Sequence, residues 1–154
     1  MKTENLQEWI GKTEERSDLL NAFPANAMAA TLNHEKLNYS ENKNLPPLWH
    51  WLYFLPIFRL SEAGYDGHAA LGDFLPPVQL PRRMWAGSRI EFLSPLKVGN
   101  EYKKKSKIKN VIAKSGRSGD LVFVTVTHEV SKGTTVFVKE EHDIVYREKA
   151  TSSS

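Results

Sequence analysis

The chain has 154 residues, 25% of them charged and 40% hydrophobic, a balance that suits one soluble globular domain with its own core and argues against disorder. Its 21 Lys and Arg stand against 18 Asp and Glu, and a net charge of +3 points to nucleic acid only if the charge is clustered. The absence of cysteine excludes disulfides, thiolate metal sites and a cysteine nucleophile, and no apolar run approaches the roughly 20 residues needed to span a bilayer.

In chain order, the stretch MKTENLQEWIGKTEERSD is charged throughout and has no apolar signal region, so a cytoplasmic protein is expected. Thr3 suits an N-cap, and NLQEWI reads as a short helix with Leu6, Trp9 and Ile10 on one face, stopped at Gly11. Residues 24–33 read as an alanine-rich helix, with Phe23, Ala27, Ala30 and Thr31 at helical spacing and Pro24 in the first turn. Small residues all round it predict a helix closely enclosed by other elements. Residues 34–47 are polar and end in two prolines, which predicts a loop. LWHWLYFL, at 48–55, is dense in aromatics between prolines and reads as a buried strand or extended segment. Residues 56–83, with Gly64, Gly67, Gly72 and several prolines, form a long irregular region of the kind that serves function or an interface.

From residue 84 onward the pattern is strand after strand. MWAGSRIEFL is followed by a turn at SPLKVGN. Residues 102–113 alternate, with Lys103, Lys105, Lys107 and Lys109 on one side and Tyr102, Ile108 and Ile112 on the other, a split that a strand makes and a helix would mix. KSGRSGD supplies the next turn, LVFVTVTHEV a strand, SKGT a hairpin turn and TVFVKEEHDIVYRE the last strand. The sum is α+β: one early helix against an antiparallel meander, a single domain over residues 1–148 with a polar tail at 149–154.

The run WHWLYF, DGH, GDFLPPVQLPRRMWAGSRIEF, PLKVGN, KSGRSGDLVFVTVTHEV and EEHDIVYRE resembles the N-terminal half of MaoC-like dehydratases, the group that includes mesaconyl-CoA hydratases and the type 2 hydroxyacyl-thioester dehydratases. The resemblance extends over nearly the whole chain. It implies a hot-dog fold, in which a curved antiparallel sheet wraps a central helix. Two hot dogs pair in that family, and an acyl thioester of CoA or an acyl carrier lies between them. The implied chemistry is reversible addition of water to a trans-2-enoyl thioester, with no cofactor beyond the thioester itself. It needs a base to activate water, and donors to hold the developing enolate oxygen. The family supplies the base from an Asp or Asn followed by His, in a motif of the D-x-N-P-x-H kind. The nearest strings here, Asp66-Gly67-His68 and His142-Asp143, have neither its spacing nor its flanks. In two-hot-dog relatives the motif lies in the second half, so the base is expected from a partner hot dog.

Of the five histidines, His34 falls in a polar loop, and His128 and His142 fall in the last two strands as possible cross-strand neighbours. His50, inside WHWLYF, is either a satisfied core histidine or a catalytic one. His68 either contacts substrate or serves the Asp-Gly turn beside it. Arg82 and Arg83 suit the phosphates of CoA, because a planar guanidinium donates two parallel hydrogen bonds; otherwise they pack on Trp85 or Trp49 or are solvated. The glycine-flanked Arg117 has the same two readings, a phosphate cradle or a plain turn. The lysine stripe lacks the interleaved aromatics of a single-strand binder, so a solvated outer face is expected, and neither nucleic acid nor membrane is a predicted partner.

Overall fold

The computed structural model describes residues 4–116 and 119–149. The expected cap at Thr3, the turn residue Arg117 and most of the C-terminal tail lie outside the described residues. A 3-10 helix at Glu4–Trp9 leads into β1 (Thr13–Leu19), then α1 (Ala22–Thr31). Two short 3-10 helices follow, Trp49–Leu52 and Leu60–Glu62, before β2 (Arg82–Phe92), β3 (Glu101–Gly116), β4 (Gly119–Lys132) and β5 (Thr135–Arg147). The strands form one antiparallel sheet in the order β1-β3-β4-β5-β2. Its inner face receives the helix, which gives the expected α+β hot-dog architecture.

β1 is absent from the sequence reading because TEERSDL has almost no apolar residue. It is an edge strand, and charge is what an exposed edge tolerates. α1 begins two residues earlier than expected because Asn21 caps it, its side-chain oxygen accepting from the N–H of Phe23 at 3.2 Å. The helix is enclosed on one stripe only, Ala25 and Ala29. Phe23, Ala27, Ala30 and Thr31 lie on its exposed face, and Phe23 is 79% exposed. Uniformly small residues carry no periodic signal, so the sequence did not say which face would be buried.

β3 splits Lys103, Lys105 and Lys107 from Tyr102 and Ile108 as expected, but the alternation holds only as far as Ile108. The register with β4 slips between Ile108 and Asn110, and this bulge exchanges the two faces beyond it. Val111 is buried in place of the expected Ile112, which is 43% exposed. Across the sheet, Glu15 pairs with Lys103 at 3.0 Å and Glu141 pairs with Lys109, so part of the lysine stripe is ion-paired on the outer face. The SKGT turn closes β4 onto β5 as expected, with Gly133 at φ 57° supplying the left-handed residue.

The core is in two parts. One gathers Ile108, Val111, Val122, Val124, Ile144 and Tyr146 with Val78 and Leu80 from the long irregular region. The other gathers Ala25 of the helix with Tyr53, Phe54, Tyr102, Val130 and Val138. On each long strand the residues between these clusters are polar.

Candidate thioester-binding site

Register places those intervening polar residues side by side on the inner face. Arg16 on β1 faces Lys104 on β3, Ser106 faces His128 on β4, and His128 faces Glu140 on β5. Ser88 on β2 faces His142. A polar layer therefore crosses the whole sheet between two apolar clusters. Its members occupy slots that alternation assigns to the core.

The segment around WHWLYF roofs this layer. It is a 3-10 turn, not the expected strand or extended segment, and two non-glycine residues in the left-handed region bracket it: Leu48 at φ 73° and Phe54 at φ 58°. Such backbone costs about 1–3 kcal/mol and persists only where the surroundings fix it. The fixing bonds are visible. The N–H of Phe54 donates to Asp18 at 2.8 Å, and the hydroxyl of Tyr53 donates to the backbone oxygen of Asn21 at 2.6 Å.

The turn drives His50 inward, where it is 4% exposed. Its Nε2 meets Oε2 of Glu140 at 3.2 Å, and the indole N–H of Trp51 donates to the same oxygen at 3.1 Å. Glu140 is itself 8% exposed. Burial pushes its carboxyl up, but the bonds from His50 and Trp51 and the fields of His128 and His50 outweigh it and hold the group below its ordinary range. A carboxylate that receives an imidazole N–H fixes the ring's tautomer and leaves Nδ1 as the basic nitrogen.

Between the roof and the sheet lies a cavity of about 460 Å³. Tyr53, Phe54, Leu55 and Val138 form apolar walls, Lys104, His128, Glu140 and His142 a polar floor, and Trp85 and Ser88 the side toward β2. A second cavity of about 220 Å³ adjoins it and shares Lys104, His128 and His142. Ser106 Oγ is 2.8 Å from Nδ1 of His128. Burial, with the field of Lys104, lowers the His128 imidazole to about 4, so the ring is neutral at pH 7. Burial lowers His142 as well. The two rings are diagonal neighbours with centroids 6.4 Å apart, across the register Val126 to His142 and His128 to Glu140.

The other sequence candidates divide. Trp85 lines the larger cavity while remaining 66% exposed, its indole N–H donating to Ser88 Oγ at 3.1 Å. Arg83 pairs with Tyr146 on the inner face and lines the smaller cavity. Arg82, opposite Arg147, faces the other side of the sheet, so the two arginines do not form one clamp. His68 lines the smaller cavity, but its N–H donates to Asp66 Oδ1 at 3.1 Å and its ring is largely exposed, which is turn chemistry. Glu140 and Lys104 were not singled out from the sequence. Within the alternation Val138, Glu140, His142, Ile144, Tyr146, polar residues stand at core positions, and that was the available signal.

The family profile described as hydroxyacyl-thioester dehydratase type 2 matches residues 48–154. The mesaconyl-C(4)-CoA hydratase of Chloroflexus aurantiacus is 44% identical over 148 residues, which are 96% of this chain and 53% of that protein. The chain thus spans about half the length of this curated relative. Among solved structures, the ChsH1-ChsH2 complex from Mycobacterium tuberculosis aligns over 99% of this chain and 92% of its own, with a TM-score of 0.69 at 13% identity. HtdX of Mycobacterium tuberculosis aligns over 88% of this chain and 51% of its own, with a TM-score of 0.51 at 14% identity. At such identities these two structures show the fold alone. The profile match, which covers the cavity roof and four of the five strands, shows more: the chain belongs to the hydroxyacyl-thioester dehydratase type 2 family.

Proposed function

We propose that this chain is the thioester-binding half of an enoyl-thioester hydratase, or 3-hydroxyacyl-thioester dehydratase, and that a second hot dog supplies the catalytic base. The observation that carries the reading is the cavity of about 460 Å³ under the Trp49–Leu52 turn, of a size and apolar lining that suit a small-molecule site. The acyl group would lie between Phe54, Leu55 and Val138, and Arg83 would meet a phosphate of the CoA or acyl-carrier arm. β2 is an edge strand with exposed Met84 and Trp85, so a second hot dog, in the same chain or another subunit, could join there and close the cavity. The cysteine-free composition fits a cytoplasmic setting, and no helix among the described residues is long and apolar enough to cross a membrane.

A second reading rests on the His50–Glu140 pair: a carboxylate-held imidazole beside the cavity is built as a base in its own right. Under it, the chain alone adds water to an enoyl thioester, and Glu140→Gln removes the activity. The preferred reading is tested by the melting temperature of the chain with and without butyryl-CoA. Stabilisation by the ester, weakened in Arg83→Ala, is expected; no shift at millimolar ester would contradict it.

A further inference from the structure

The outer face of the sheet, turned away from both cavities, changes character along its length. In one part cations are answered by carboxylates: Lys103 meets Glu15, and Arg89 meets both Glu141 and Asp143. Further along, register sets Ile112 on β3, Phe123 on β4, Val145 on β5 and Met84 on β2 side by side, an apolar row across four strands. Ile112 is 43% exposed and Met84 40%, and Phe123 and Val145 are half-buried between them. The β3 bulge is what turns Ile112 outward. An apolar row on a face that is otherwise charged marks a contact surface.

The row is flanked unequally. Two residues along each strand on one side stand Lys114, Leu121, Arg147 and Arg82. Arg82 and Arg147 are directly opposite each other, where like charges repel. None of these three cations makes an ion pair with a described residue, and Lys114 lies over the ring of Phe123, 5.4 Å from its centroid. On the other side stand Asn110, Thr125 and Asp143, and the Asp143 carboxylate already accepts from Arg89 and Thr125. The uncompensated charge is therefore positive and lies along one flank only.

We propose that this face docks an amphipathic helix whose apolar stripe lies on the row and whose carboxylates, on one flank, meet Lys114, Arg147 and Arg82. The dimensions agree. Three inter-strand gaps of about 4.8 Å span about 14 Å, the length of about ten helical residues. The basic row lies about 7 Å from the apolar one, within reach of side chains on the flank of a helix. A second copy of this face carries the same unpaired cations, so it complements the charge less well than an acidic helix does.

Fluorescence anisotropy with a labelled, stapled helical peptide of about a dozen residues tests it, with leucines one turn apart and glutamates along one flank. The chain should bind this peptide in the micromolar range, and at least about tenfold more tightly than a version with lysine for glutamate. Ile112→Gln should weaken binding about tenfold, and the double variant Arg82→Glu, Arg147→Glu should reverse the preference between the two peptides. Such a reversal cannot come from unfolding, and both variants should keep the melting temperature of the parent. No binding at millimolar peptide, equal binding of the two peptides, or binding unchanged in both variants overturns the proposal. Self-association in sedimentation, or flotation with phosphatidylserine vesicles, either one abolished by Ile112→Gln, would also overturn it and give the face to a second copy or to a membrane.

Discussion

His128 gives a sharp test of the polar layer, because its protonation state couples to stability. An imidazole that titrates near 6.5 in the unfolded chain is held to about 4 in the fold by burial, with Lys104 adding repulsion. The folded state therefore resists a proton that the unfolded state accepts. The associated stability is complete above about pH 6.5 and is lost as pH falls toward 4. The full difference is worth about 3 kcal/mol, and about 2 kcal/mol of it should disappear between pH 7 and pH 4.5. Glu140, held low, contributes in the same direction but in a more acid window, below the ordinary carboxylate pKa. His142 overlaps with His128, so the informative comparison is between the parent and His128→Gln. Urea unfolding at the two pH values should give the parent a loss about 2 kcal/mol larger than that of the variant, a difference of about 1–2 M in midpoint. Parallel pH dependences would refute the claim that His128 is buried neutral on the cavity floor.

Substitutions at four positions examine the packing around the site. Glu140→Ala strips the acceptor from His50 and Trp51 and should cost about 3 kcal/mol in urea unfolding, whereas Glu140→Gln, which keeps an acceptor, should cost about 1 kcal/mol. Tyr146 is buried and its hydroxyl has no partner among the described residues, so Tyr146→Phe should leave stability unchanged or raise it by up to about 1 kcal/mol in thermal unfolding. The β3 bulge predicts an inverted pair: Val111→Ala should cost about 2 kcal/mol and Ile112→Ala under about 1 kcal/mol in the same measurement, although isoleucine is the larger residue.

The long strands were legible because alternation along β4 and β5 is strong and their turn at Gly133 has plain chemistry. Three features were not. β1 is held by pairing with β3 and by its place at an edge, and neither leaves an apolar pattern in TEERSDL. The β3 bulge reverses faces without any glycine or proline to announce it at residues 108–110. The WHWLYF turn depends on left-handed backbone at Leu48 and Phe54, residues that rarely adopt it, stabilised by Asp18 and Asn21 from far earlier in the chain. For the site, His50 was visible as a histidine among aromatics, but its meaning required Glu140, 90 residues later. Arg82 and Arg83 looked alike in sequence, and only the pleat separates them.

The central claim is that this chain holds a thioester and leaves the base to a second hot dog. Mixing the purified chain with crotonyl-CoA, and following loss of the enoyl absorbance, tests it most directly. The account predicts no turnover by the chain alone, under conditions where CoA esters raise its melting temperature. Steady hydration by the chain alone, abolished in Glu140→Gln, would contradict it and make His50 and Glu140 the catalytic pair.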